Sequence, residues 1–426
     1  MFKPFQPQSN EPRFSVVYQI TTGENQSIEE ITRDICIEQT VEIPFDCIPD
    51  EHISNGLIGV EESCQKIDTN TYEVTISYRY DITSFSIPQF LNIIFGNISL
   101  KTGIKVIDIQ FTQALPPFLP GPAWGIEGIR KLTGVFERPL TCSALKPMGA
   151  TVDTLARMAG DFAYAGIDLI KDDHGLTDQC FHRFEERVAR CNEAVQNANS
   201  ITGHHTLYLP NISGSLQQVE SQIHFALKHG IRGVLVSPML IGMDNIRHIS
   251  TTYNLIVMAH PAFTGNFFSS TTHGITPAVL LGKIFRLIGS DISIFPNFGG
   301  RFPLSEQTCI SLASALRSDL NGCKKSFPCP AGGMNLEKLP GLVKTYEKDS
   351  ILLIGGALLQ KSKDLKANTA EFVSTLNTFF KEQIKVPEEE FVSSCAWNGP
   401  TAKKENTGIY HFNNYSWTNR TVERYK

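Results

Sequence analysis

The sequence predicts an α/β protein in two parts, a small N-terminal ferredoxin-like α+β domain followed by a (β/α)8 TIM barrel. Three observations predict it. Eight short apolar runs alternate with amphipathic stretches between residues 140 and 356. Ahead of them lie alternating, β-rich segments mixed with helical ones. Between the two rhythms, ALPPFLPGPAWG (114–125) holds four of the 23 prolines and cannot be regular helix or strand. That stretch reads as a linker. The predicted division is 1–115 for the first domain, 116–385 for the barrel and 386–426 for an irregular tail, polar and aromatic without periodicity.

In the first part, FSVVYQITT (14–22) and TYEVTISYRYDI (71–82) alternate and are rich in β-branched and aromatic residues, as strands are. SIEEITRDICIEQT (27–40) opens on the cap Ser27, with Glu30 three residues on. SIPQFLNIIFGN (86–97) reads as a second helix and KVIDIQFT (105–112) as a further strand. A small sheet with helices on one face fits this order.

The eight later runs are LTCSALK (140–146), IDLIKDD (167–173), TLYLPN (206–211), GVLVSP (233–238), LIVMAH (255–260), ISIFPN (292–297), FPCPAGG (327–333) and ILLIGG (351–356). Helical stretches at 151–166, 215–230 and 277–290 lie between them. Continuous apolar strands alternating with helices imply a buried parallel sheet, and eight such units fit a closed barrel. An open doubly wound sheet is the rival. It wants a glycine-rich turn after its first strand, and LKPMGATVD is not GxGxxG.

Composition excludes several classes. With 38 basic and 43 acidic residues, net −5, the chain is no general nucleic-acid binder. No run of 18 apolar residues predicts a membrane span, and the start MFKPFQPQSNEPRF lacks an apolar signal region. The ten cysteines form no CxxC pair. Scattered in apolar contexts, they read as reduced thiols of a cytoplasmic protein.

In such a barrel, chemistry collects at the carboxyl ends of the strands. IDLIKDDHG is the densest spot. Alternation puts Lys171 and Asp173 on one face and Asp172 on the other. Asp173 and His174 are plausible ligands for a divalent metal. Lys171, preceded by apolar residues, is a candidate for a lowered pKa, and a neutral lysine can take up carbon dioxide as a carbamate. By spacing alone, a salt-bridged strand cap fits equally well. Lys146 ends the first barrel strand, suited to general-base work or to pairing with an acid at the rim. PAGGM (330–334) and LIGGALLQ (353–360) place Gly332, Gly333, Gly355 and Gly356 after the last two strands, where backbone N–H groups often cradle phosphate. FPNFGGRF (295–302) is a glycine-rich loop carrying Arg301, readable as a lid or as plain surface. His260 in MAHPAF is a candidate proton carrier or hydrogen-bond donor. His204 and His205 precede the third strand, face the far end and read as structural.

GIDLIKDDHG resembles the metal-site strand of the RuBisCO large-chain superfamily, whose usual form is KDDE. The resemblance runs over about residues 10–385 and includes CSALKP, GPAWGI, GGM and IGG in the expected order. It implies a small α/β domain before a β/α barrel, at least a homodimer, and a site between one barrel and the partner's N-terminal domain. It implies Mg2+ held by carbamylated Lys171, Asp173 and His174, where His174 departs from glutamate. Lys146 matches the lysine of enolisation, and His260 a catalytic-site histidine. Arg301 replaces the lid lysine. Gly333, Gly355 and Gly356 match the glycines holding one phosphate. Glu38 and Asn97 match the residues reaching into the neighbouring subunit's site.

Six positions depart from the carboxylase pattern. Met148 replaces a second lysine, Pro261 an arginine, Ile294 a histidine and Ala331 a serine, while Ile43-Pro44 replace a threonine–tryptophan pair. Losing the grip on a second phosphate leaves a dianion uncompensated, at a cost of several kcal/mol. The resemblance therefore points to a non-photosynthetic RuBisCO-like protein (form IV) acting on one small phosphorylated keto acid through an enolate, and not to carbon fixation. KDDH, HPAF, HGITP and FPNFGGRF favour decarboxylation or carboxyl transfer with hydrolysis of 3-oxo-isoapionate 4-phosphate. The alternatives are the methionine-salvage diketo-phosphate enolase, a methylthio-sugar phosphate isomerase, or a catalytically silent binding relative.

Overall fold

The computed structural model describes residues 11–300 and 302–384. Arg301 and the predicted tail 386–426 lie outside the described residues.

The first sheet is built from β1 (Arg13–Thr21), β2 (Val60–Asp68), β3 (Thr71–Arg79) and β4 (Ile104–Phe111), in the order β4-β1-β3-β2. All three pairings among them are antiparallel. With helices at Ile28–Glu38 and Ile87–Phe95, the chain order is βαββαβ, the ferredoxin-like arrangement. Ser27 and Ser86 cap the two helices, accepting from the N–H of Glu30 and Gln89. The helices bury Ile35, Cys36, Phe90, Ile93 and Ile94 against Val16, Tyr18, Ile76 and Tyr78 of the sheet. Burying each large apolar side chain contributes about 1.5–3 kcal/mol.

One strand and one extension were not read from the sequence. β2 is an edge strand whose outer residues are exposed, so it carries no apolar alternation. The sheet also gains β10 (Gly274–Ile275), which pairs parallel to β4 and comes from the barrel half of the chain. The Lys105 ammonium fastens the same segment, donating to the carbonyls of Ser270 at 2.7 Å and Thr271 at 3.2 Å.

The barrel strands are β5 (Leu140–Leu145), β6 (Leu169–Asp172), β7 (Leu207–Leu209), β8 (Gly233–Val236), β9 (Ile256–Ala259), β11 (Ile292–Pro296), β12 (Phe327–Ala331) and β13 (Ile351–Leu353). They run parallel in the order β7-β6-β5-β13-β12-β11-β9-β8. The ring closes where Leu235 N–H donates to Pro210 and Ile212 N–H donates to Leu235, each at 2.9 Å. Alternate residues fill the interior: Leu140, Cys142, Leu169, Leu209, Leu235, Met258, Ile294, Cys329 and Leu353. Helices Val152–Tyr164, Phe184–Thr202 and Leu216–Lys228 pack outside.

The stretch predicted as helix over 277–290 is π-helical at Ala278–Ile284 and α-helical at Phe285–Leu287. Its Gly282 lies so close to helix Glu306–Arg317 that a Cβ would meet Ala315 at 2.8 Å. Ser293 donates to the Leu281 carbonyl at 2.6 Å, a partner from outside the helix. Among the described residues no helix is long and apolar enough to cross a membrane.

Candidate active site

Strand β6 sets the site by its alternation. Asp172 turns out of the barrel and is fully buried. Its carboxylate accepts from Tyr208 OH at 2.8 Å, Asn211 N–H at 3.0 Å and Arg187 Nε at 3.2 Å. Those bonds hold the strand end, so Lys171 and Asp173 turn into the mouth. Asn211 adds two more, donating from Nδ2 to the carbonyls of His174 (3.0 Å) and Leu176 (2.9 Å).

Lys146, at the end of neighbouring β5, places Nζ 3.1 Å from Asp173 Oδ1. His174 Nδ1 lies 3.5 Å from the same oxygen. The His174 ring stacks on His260, which follows β9, with centroids 4.1 Å apart and planes 12° from parallel. Five sequence candidates from three strands thus meet at one end of the barrel: Lys146, Lys171, Asp173, His174 and His260.

The electrostatics follow from this crowding. Burial alone would push the Asp173 carboxyl up. The hydrogen bond to His174 and the charges of Lys171 and Lys146 outweigh it, holding the group well below the usual carboxylate range. Lys171 is buried and donates to the Asp172 carbonyl at 3.0 Å. Burial pulls its ammonium below the ordinary lysine value, with Cys142 and Asp173 opposing. Burial also pulls His260 far down, helped by Lys171 and His174. The Ala262 N–H donates to His260 Nδ1 at 3.1 Å, which puts the neutral ring's proton on Nε2.

The glycine pairs leave space in front of the backbone. Gly332 and Gly333 have φ of 86° and 69°, the left-handed region that favours glycine. A Cβ at Gly332, Gly355 or Gly356 would meet no protein atom within 4 Å. At Gly333 it would meet Gly300 Cα at 2.7 Å, so that glycine also serves close packing of two loops.

The structure does not bring every candidate to this mouth. Asn97 Nδ2 donates to Glu38 (3.1 Å) and Glu42 (2.8 Å), forming a separate polar group on the first sheet's helices and loops. His204 and His205 line a cavity at the amino end of the barrel with Arg138, Asp168 and Asn377. Met148 leans over the turn after β6, where a Cβ on Gly175 would meet its methyl at 2.9 Å. Asn211 ends the third barrel run and stands out as a polar strand end, but sequence reasoning missed Arg187 and Tyr208, which join it around Asp172. Arg187 gave one usable signal, since it falls on the apolar face of its helix beside Phe184, Val188 and Cys191.

The comparisons agree with this architecture. The family described as ribulose bisphosphate carboxylase large chain, catalytic domain, matches residues 125–296. The chain is 38% identical over 352 residues to 5-methylthioribulose-1-phosphate isomerase of Rhodospirillum rubrum, covering 82% of this chain and 92% of that one. It is 34% identical over 289 residues to 2,3-diketo-5-methylthiopentyl-1-phosphate enolase of Bacillus pumilus, covering 67% and 71%. The crystal structure of a Rubisco-like protein from Rhodopseudomonas palustris superposes with a TM-score of 0.77 at 37% identity, covering 86% of this chain and 98% of that one. The chain belongs to the RuBisCO large-chain superfamily, among the RuBisCO-like proteins.

Proposed function

We propose that the protein forms an enolate from a keto sugar carrying one phosphate, as a methylthio-sugar phosphate isomerase or a methionine-salvage diketo-phosphate enolase. The observation that carries this reading is the Lys146–Asp173 pair at 3.1 Å beside buried Lys171, at the mouth of the barrel. The related isomerase and enolase support it over 3-oxo-isoapionate 4-phosphate chemistry, which no relative described above carries. Where a bisphosphate would need a second cationic grip, the chain has Pro261, Ile294 and Ala331. Ile294 is buried in the apolar interior of the barrel. An uncharged distal end of the substrate suits those residues, and a second dianion does not.

The residues fit a divalent cation such as Mg2+ on one condition. Asp173 and His174 offer an oxygen and a nitrogen that converge, and among the described residues no third acidic, cysteine or histidine side chain joins them. A carbamate on Lys171 would complete the set, and burial favours the neutral amine from which a carbamate forms. Bound there, the cation would polarise the substrate carbonyl. Lys146 moves the proton at the carbon beside that carbonyl. His260, kept neutral, donates from Nε2 to a substrate oxygen. The N–H groups of Gly332, Gly333, Gly355 and Gly356 hold the phosphate, and Arg301 serves the closing loop. Glu38 and Asn97 complete the mouth of a second copy in a homodimer or larger assembly.

The test is a substrate panel followed by phosphorus NMR, with magnesium and bicarbonate present. Turnover of 5-methylthioribulose 1-phosphate or the diketo phosphate is expected. Turnover of 3-oxo-isoapionate 4-phosphate alone would restore decarboxylation or hydrolysis as the reaction. Turnover of none of the three would favour a binding protein.

A further inference from the structure

The loop after β11 and the turn after β12 lie backbone against backbone. A Cβ on Gly300 would meet the Gly332 carbonyl oxygen at 2.8 Å, and one on Gly333 would meet Gly300 Cα at 2.7 Å. The seam is reinforced at its base. Asn297 N–H donates to the Ala331 carbonyl at 2.8 Å, and Tyr346 OH donates to Asn297 Oδ1 at 2.6 Å. Across the seam reaches one side chain with no part in the reaction described above. Lys338 Nζ donates to the carbonyls of Gly299 at 3.4 Å and Gly333 at 3.2 Å, one on each loop. Its own N–H donates to Asn335 Oδ1 at 3.0 Å, which fixes the start of helix Leu339–Tyr346.

We propose that Lys338 is a positioning residue of the phosphate cradle: it clamps the two glycine loops together and lends positive charge to the anion they hold. The inference rests on the cradle reading above and adds to it. A trans peptide points its N–H opposite to its C=O. Anchoring the Gly333 carbonyl on Lys338 therefore fixes the plane of the peptide that follows, and with it the turn that carries the Gly332 and Gly333 N–H groups. Glycine backbone has no side chain to restrain it, so an external anchor matters most at such a turn. The charge matters as well. A phosphate monoester carries nearly two negative charges at neutral pH, and backbone N–H groups supply only partial positive charge. An ammonium held 3.2 Å from the Gly333 carbonyl adds a full positive charge to that turn, and as an exposed group it acts in a salt-dependent way.

The experiment is calorimetric titration of the full chain with inorganic phosphate, at low and high sodium chloride. Wild type, Lys338→Met, Lys338→Arg and Gly356→Val are compared, each checked for folding by circular dichroism. Lys338→Met is expected to weaken phosphate binding roughly tenfold and to flatten its salt dependence. Lys338→Arg is expected to recover most of the affinity. Wild-type affinity in Lys338→Met, with binding lost in Gly356→Val, would overturn the clamp and spare the cradle. No recovery in Lys338→Arg would overturn the charge role. No phosphate binding by wild type would overturn the cradle reading and the clamp with it.

Discussion

Two aspartates flank strand β6, one at each end of the barrel, and they are treated oppositely. Asp168, before the strand, is saturated. Arg138 donates to it twice, at 2.6 and 3.1 Å, and Thr141 donates from both its N–H (2.7 Å) and its hydroxyl (2.8 Å). Asp173, after the strand, keeps an exposed edge, and its carboxylate lies 3.1 Å from Lys146 and 3.5 Å from His174. The residue type is the same and the strand is the same. What differs is how much of the carboxylate is already satisfied. The amino end spends its charges on holding the barrel together, and the carboxyl end leaves them partly free for a ligand. Asp291 repeats the first pattern. It is buried, accepts N–H groups from Trp124, Gly125 and Val257, and burial pushes it up to about 6.

The comparison can be broken by exchanging the effects. Asp173→Asn is expected to lower turnover by roughly a thousandfold, with little loss of melting temperature. Steady-state rates and a thermal melt on the same sample check both halves, and a large melting shift would make Asp173 structural. Asp168→Asn is expected to do the reverse. Leaving Arg138 buried without its partner costs about 3–5 kcal/mol, measured by urea unfolding, while the folded fraction keeps its kcat. Asn211 tests the boundary between the two kinds of residue. Asn211→Leu strips the carbonyls of His174 and Leu176 of their donor, at about 1–3 kcal/mol, and loosens the turn that carries Asp173. Both stability and turnover should fall. A change in stability alone would separate this network from the site.

The smallest effect expected is a pH dependence. His260 is held neutral in the folded protein while the unfolded chain titrates near the ordinary histidine value. Below that value the unfolded state binds the extra proton and the folded state does not. Stability from this group is therefore present above about pH 6.5 and is lost on acidification, by at most about 1.4 kcal/mol per pH unit. Unfolding curves between pH 7 and 5 should be steeper in pH for wild type than for His260→Gln. Equal slopes would mean that the ring is solvated.

The same contrast explains what could be read from the sequence. The eight barrel strands were legible because each is buried on both faces and reads as a continuous apolar run. β1 and β3 were legible through alternation. β2 was not, because its residues after Glu61 are exposed and have no apolar face to declare. β10 is two residues long, and its pairing with β4 is a tertiary event with no local pattern. At the site, Lys146, Lys171, Asp173, His174 and His260 stand out as polar residues ending apolar strands. The bonds that aim them are not visible in that way. Asp172 finds Arg187, Tyr208 and Asn211 from 15, 36 and 39 residues away, and only the closed barrel brings them together. The Lys338 contact with Gly299, 39 residues away, belongs to the same class.

The most direct test of the account is solvent deuterium exchange into 5-methylthioribulose 1-phosphate, followed by proton NMR, with ribulose bisphosphate and labelled bicarbonate as a parallel assay. Wild type is expected to wash deuterium into the carbon beside the carbonyl and to fix no label. Lys146→Ala is expected to remain folded and to exchange nothing. Fixation of label onto ribulose bisphosphate, or undiminished exchange in Lys146→Ala, would contradict it.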